Sequence, residues 1–118
     1  MKPQENLDKL IDTTIKSIKP ETIGYVMQYA NKEIYPQIMR AAQSGSTQID
    51  FKPSDIKFPD GYYDYVSNVL KVAIIKKWIK TIFGTLDGFK VIYKQGPQNE
   101  NYYEILTIDW TDLIIDKL

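Results

Sequence analysis

The chain contains no histidine and no cysteine, and Arg40 is the one arginine among fifteen cations. Those residue types carry most acid–base catalysis, most transition-metal ligation and most bidentate phosphate recognition. Without cysteine there is no disulfide framework, thiolate nucleophile or thiolate metal site, which fits a reducing compartment. No glycine-rich phosphate loop exists either, because Gly24, Gly45, Gly61, Gly84, Gly88 and Gly96 are dispersed along the chain. Long apolar runs are also missing. The nearest, Val66 to Phe83, carries Lys71, Lys76, Lys77 and Lys80, more charge than a membrane span holds. The polar start Met1-Lys2-Pro3-Gln4-Glu5-Asn6 leads into no apolar stretch of signal-peptide type. The expectation is a cytoplasmic protein without cofactor, metal or membrane partner.

The composition that remains is that of a folded domain. Hydrophobic residues make up 43% and charged residues 25%, a globular balance, and 118 residues suffice for one domain (1–118) with a core but not for two. Net charge is zero, so bulk electrostatics give no reason to expect nucleic acid or an anionic membrane as partner.

Leu7, Leu10, Ile11, Thr14, Ile15 and Ile18 recur at helical spacing and predict an amphipathic helix over 4–18. Pro20-Glu21-Thr22 opens a second helix, with proline at the first turn and an acid near its positive end. Pro36 would normally stop it. However, Ile23, Met27, Ala30, Ile34, Ile38 and Ala41 stay within roughly 80° on a helical wheel, with Pro36 opposite. The reading is one long kinked helix over 20–44 with Gly45 as its left-handed stop; the alternative is two helices meeting at Tyr35. Residues 47–51 alternate as a short strand, and the proline-bearing 52–61 segment reads as a loop.

A third helix is predicted over 61–84. On its wheel Tyr62, Tyr65, Val66, Val69 and Ala73 share one face, yet past Ile74 the pattern inverts, with Ile75, Trp78, Ile79 and Ile82 on the formerly polar side. That inversion implies two packing partners, a second subunit, or a break near residues 72–74. Residues 89–94 and 102–110 read as strands rich in aromatic and β-branched residues. The 95–101 segment joins them as a hairpin in which Lys90 and Lys94 face Glu100 and Glu104. Residues 111–118 form either a helical turn capped by Thr111 or a docking tail. The fold class is α+β, three helices with a small antiparallel sheet in the order α-α-β-α-β-β.

The long helix ending Arg40-Ala41-Ala42-Gln43-Ser44-Gly45, the strand and helix after it, Gly88-Phe89-Lys90-Val91, and a last strand ending Leu106-Thr107-Ile108-Asp109-Trp110 together resemble small α+β proteins encoded by tailed bacteriophages. The resemblance covers about two-thirds of the chain. It implies a viral protein of the host cytoplasm or the virion and carries over no functional residue.

Three constellations could carry chemistry. Asp109, Asp112 and Asp116 offer oxygen ligands, but at no calcium-loop spacing. Asp55, Lys57 and Asp60 are fragments of a carboxylate nuclease site in the wrong order and in a loop. The third is basic: Lys71, Lys76, Lys77, Lys80, Lys90 and Lys94 are interleaved with Trp78, Phe83, Phe89 and Tyr93, and the α-β-α-β-β ending is similar to a winged helix. Arginine is absent where base readout would use it. Nine tyrosines, several clustered at 62–65 and 102–103, exceed what a small core needs and favour an interface. The expected function is therefore non-enzymatic: a phage-type structural or assembly protein that self-associates through Tyr63, Trp78, Ile82, Tyr102, Trp110, Leu113 and Ile114. The alternatives are a nucleic-acid-binding regulator using the six lysines, or an inhibitor of a host protein.

Overall fold

The structure, a computed structural model, describes residues 2–99 and 101–118. At its centre lies β3 (Asn101–Asp109), in which Glu104, Leu106 and Ile108 are buried and Ile105, Thr107 and Asp109 are not. This period-two pattern belongs to a sheet covered on one face. The short β1 (Gln48–Phe51) and the longer β2 (Lys90–Gln98) flank it, both antiparallel, in the order β1-β3-β2. Among the described residues five α-helical segments complete the fold: α1 (Pro3–Lys16), α2 (Pro20–Tyr29), α3 (Tyr35–Gln43), α4 (Asn68–Phe83) and the short α5 (Thr111–Ile115). The α+β class and the C-terminal hairpin are as the sequence predicts.

Between α2 and α3 the chain does not break. Ala30–Ile34 form a π turn, in which the Tyr35 N–H reaches back to the Ala30 carbonyl. The cause is legible in the spacing. Thr22, Val26, Ala30, Ile34 and Ile38 are all buried, one every four residues. On a regular helix each such step rotates the stripe by about 40°. A wider turn absorbs an extra residue and brings the stripe back over the core. It also sits just ahead of Pro36, which has no N–H to give the regular ladder. The rod ends at Gly45 (φ +83°), with Gly45 N–H bound to Ala42 O (3.1 Å) and Ser46 N–H to Ala41 O (2.9 Å), a Schellman stop.

The predicted 61–84 helix starts later than its periodicity suggests. Ser67 caps α4, its Oγ accepting the Leu70 N–H at 3.1 Å. Residues 62–67 carry no regular secondary structure instead, and Tyr62 packs against Tyr25 and Phe58 (ring centroids 5.3 and 5.1 Å). Its hydroxyl shares a hydrogen bond with Thr22. With the start corrected, the inversion vanishes: Lys71, Val72, Ile74, Ile75, Trp78 and Ile79 form one broad buried face. That face, the α2–α3 stripe and the inner residues Ile49, Leu106 and Ile108 of the sheet make a single core.

The hairpin register also differs. β2 continues through Gly96 and Pro97 to Gln98, which pairs with Asn101. Pro97 is tolerated because β2 is an edge strand. Lys90 is paired with Asp109 and Lys94 with Ile105, so neither faces Glu104, which points inward opposite Gln95. Glu100 lies outside the described residues. The tail is a helical turn, as one of the two expectations had it, but Thr111 opens it rather than caps it. Its N–H is held by the Asp109 carboxylate (2.8 Å), and its hydroxyl bonds that of Thr47 (2.7 Å).

Leu113 then lies over the turn before β2. A methyl group added at Gly88, where φ is +88°, would meet Leu113 Cδ2 at 2.3 Å. Gly88→Ala is therefore expected to destabilise the fold by about 1–3 kcal/mol, from backbone strain alone or more. Denaturant unfolding measures it, and a loss below the strain range would mean that this turn readjusts freely.

Candidate interaction surface

Helix α1 is well specified locally. Pro3 occupies its first turn, the Lys2 N–H is met by Glu5 Oε2 (3.4 Å), and Gln4 Nε2 donates to Asp8 Oδ1 (3.0 Å) one turn on. At the other end the Ser17 and Ile18 N–H groups bond Thr14 O and Ile15 O (both 3.1 Å), and Lys19-Pro20 prevents continuation. Yet no residue of α1 is buried. Leu7, Leu10, Ile11 and Ile15 are 48%, 63%, 45% and 59% exposed, an apolar stripe facing nothing. The radius of gyration reflects this: 16.5 Å, with extents of 50 × 36 × 31 Å, against about 13.5 Å for a compact chain of this length.

Taken as a wheel, α1 has an asymmetric charge distribution. Asp8 and Asp12 run along one border of the stripe, Glu5, Lys2, Lys9 and Lys16 lie at the back, and Asn6, Thr13 and Ser17 line the other border. The amphipathic pattern is plain in the sequence. That the stripe has no intramolecular neighbour is not, since periodicity defines a face and not what covers it.

The residues expected at an interface separate into two groups. Trp78 (2% exposed) and Trp110 (8%) belong to the core, and Trp78 Nε1 donates to Asn31 Oδ1 (2.7 Å) in the π turn. A tryptophan whose ring is enclosed and whose N–H is satisfied has nothing left to offer a partner. Tyr63, Ile82, Tyr102, Leu113 and Ile114 are exposed, but on different parts of the fold. Tyr63 precedes α4, Ile82 ends it, Tyr102 lies near the hairpin tip and Leu113 and Ile114 sit on α5.

The six lysines diverge too. Lys71 is buried; Lys76, Lys77 and Lys80 lie on the exposed face of α4; Lys90 and Lys94 project from the opposite, outer face of the sheet. Lys90 is further engaged by Asp112 (3.7 Å). Two of the three C-terminal acids are likewise spoken for separately, Asp109 by Thr111, which holds its carboxyl below the usual range, and Asp112 by Lys90. Among the described residues no group of three potential ligands could hold a metal ion, and no helix is long and apolar enough to cross a membrane. Asp55 and Lys57 stand at a shallow turn; Lys57 lines an open cleft of about 310 Å³ with Tyr25, Tyr29, Lys32, Glu33 and Phe58.

One polar cluster is buried. Glu104, 6% exposed on the central strand, accepts the Ser54 N–H at 2.9 Å and Asn68 Nδ2 at 2.6 Å. Nearby, Lys71 Nζ donates to Pro53 O (3.4 Å) and lies 5.7 Å from the centre of the Phe58 ring. Its burial depresses the ammonium pKa, with Glu104 opposing. The arrangement ties loop, helix and strand together.

Comparison with family models, with curated proteins and with solved structures returns no match to this chain.

Two outcomes follow from the cluster. Glu104→Ala removes two hydrogen bonds to a charged acceptor and should cost on the order of 1.5–3 kcal/mol for each. Lys71 titrates below its ordinary 10.5 in the fold, so between the lowered value and 10.5 the unfolded chain holds more protons. Stability should therefore gain with rising pH across that window in the native protein relative to Lys71→Met. Parallel unfolding curves for the two proteins at all alkaline pH values would contradict it.

Proposed function

We propose that the protein is a non-enzymatic assembly component, of the kind encoded by tailed bacteriophages, that acts through protein–protein contact and self-associates. The observation that carries this reading is α1: a capped, regular helix with its whole apolar stripe exposed. Isolated helices of about 14 residues are marginal in water, and in proteins their stability comes mainly from packing an apolar face. A chain that specifies such a helix with a proline, an end cap and a side-chain ladder has a partner for it. The dispersed lysines and the engaged acids give less support to nucleic-acid binding or catalysis. As a viral component it would work in the host cytoplasm or the virion.

Light scattering on the purified protein tests the reading. The native chain is expected to give a defined oligomer, and Leu10→Glu combined with Ile11→Glu a folded monomer that still unfolds cooperatively, because neither side chain is in the core. Equal masses for the two proteins would count against α1 as the contact. A native monomer that retards DNA at low salt would favour the regulator instead.

A further inference from the structure

The cleft beside the π turn is lined by no residue of α1 and stands apart from self-association. One of its walls is a second stripe of the rod. Tyr25, Gln28, Tyr29 and Lys32 recur at i, i+3, i+4 and i+7 beside the buried stripe, and Glu33 follows in the widened turn. Lys57-Phe58-Pro59 form the other wall, and this loop is fixed in place. The Tyr62 N–H bonds Pro59 O (3.1 Å), Phe58 stacks on Tyr62, and Tyr25 meets Phe58 edge-on at 6.3 Å. The volume, about 310 Å³, is at the lower end for small-molecule sites, which combine a preformed aromatic lining with a few placed polar groups.

Part of that lining has no internal use. Tyr29 is half-buried, yet among the described residues it joins none of the ring pairs that hold Tyr25 and Phe58. The tyrosine hydroxyls engaged there are those of Tyr62, Tyr93 and Tyr102, which leaves that of Tyr29 free. Burial, with Asp55 and Glu33 adding, raises its pKa, so it stays a neutral donor at neutral pH. The charges are unmatched as well. Among the described residues the ion pairs are Lys19–Asp64 and Lys90–Asp112, so Lys32 and Lys57 stand on opposite walls with no carboxylate in ion-pair reach. Lys57 also adds to burial in depressing the Lys71 pKa, against Glu104, so positive charge gathers around Phe58. Beyond Tyr29 the sign changes. The adjoining cleft, about 370 Å³, shares that ring and is lined by Asp50 and Asp55 with Lys52.

We propose that the cleft between the π turn and the 57–59 loop binds a small aromatic anion, a single ring bearing a carboxylate or phosphate. Tyr29 offers the ring contact that no side chain of the fold takes up, and Lys32 and Lys57 receive the anionic group from either wall. Lysine suits either headgroup, because an ammonium is a point charge without the fixed fork of arginine. Two lysines against Glu33 leave the lining net positive, which disfavours a cation. Asp50 and Asp55 on the far side of Tyr29 repel the anionic group and so set its orientation.

Titration of the native protein with phenyl phosphate or benzoate, followed by amide nuclear magnetic resonance, tests the site. Saturable shifts are expected at residues 28–33 and 57–58, with a dissociation constant in the millimolar range usual for a ligand of about ten heavy atoms. Which of the two probes binds more tightly names the headgroup. Lys57→Gln should weaken binding about threefold, and Lys32→Gln with it about tenfold, the scale of exposed charge contacts. Both lysines are exposed, so these variants keep the fold. Inorganic phosphate has the charge without the ring, and benzylamine the ring with the opposite charge; neither should shift these residues at the same concentrations. Equal binding of inorganic phosphate reduces the site to loose lysine–anion contact, and equal binding of benzylamine to apolar contact without charge. Either result overturns the proposal, as does the absence of a saturable shift with both aromatic anions.

Discussion

A carboxylate buried on the central strand sets the terms for the middle of this molecule. Glu104 sits in the inward row of β3, between the hairpin tip and Leu106, where an apolar residue would continue the core. An ionised carboxyl in that position is tolerated only with donors arranged around it. Ser54 supplies a backbone N–H from the turn after β1, and Asn68 supplies an amide from the first turn of α4. The need to satisfy one group thus fixes the loop on one side and the helix start on the other. Lys71 follows one turn on, with its ammonium on the Pro53 carbonyl of that same loop. β1 leaves the sheet after Phe51, short of Glu104, and the 53–55 turn takes its place beside the strand.

That constraint explains the largest disagreement with the sequence. Tyr62, Tyr65, Val66 and Val69 recur at helical spacing, which invites an earlier start for α4. The tyrosines are spaced so for another reason. Tyr62 stacks on Phe58 and meets Tyr25 of α2 across a turn at Asp60-Gly61, after which the chain stays non-helical up to Ser67. Ser67 then caps the helix so that Asn68 can face Glu104. The apparent inversion of apolar faces was an irregular segment and a helix read on one wheel. Local elements with a strong pattern of their own, α1, the α2–α3 rod and the Gly45 stop, were legible from the residues. The hairpin register was not, because 90–98 and 101–109 alternate on both sides of the loop and only the position of Asn99 (φ +59°) marks where the chain turns.

The π turn is a second case in which spacing and structure agree once the physics is supplied. A stripe repeating every four residues cannot stay on one face of a regular helix over sixteen residues, and Pro36 removes a ladder donor in the same stretch. One wide turn resolves both. It also brings Asn31 to the Trp78 N–H, so the irregularity in one helix satisfies the single polar atom of the largest core side chain on the other. Tryptophan was therefore a poor indicator of an interface here: its polar handle had an internal partner that no periodicity reveals.

The exposed surfaces of this fold are not equally open to association. The β2 edge, a full strand long, carries Lys90 and Lys94 and ends near Pro97, the devices by which sheet edges avoid pairing with other chains. The outer sheet face mixes Ile92 and Ile105 with Lys94, Thr107 and Asp50, the last two hydrogen-bonded to each other (2.6 Å). The α1 stripe has no such interruption: Leu7, Leu10, Ile11 and Ile15 are contiguous, and the charges stand at the border and the back. A defect of folding would leave apolar residues exposed without regard to their frame. Here a contiguous apolar stripe in one helical frame lies on α1, an element without a buried residue. That selectivity argues for α1 as a contact kept open, while the sheet is kept from becoming one.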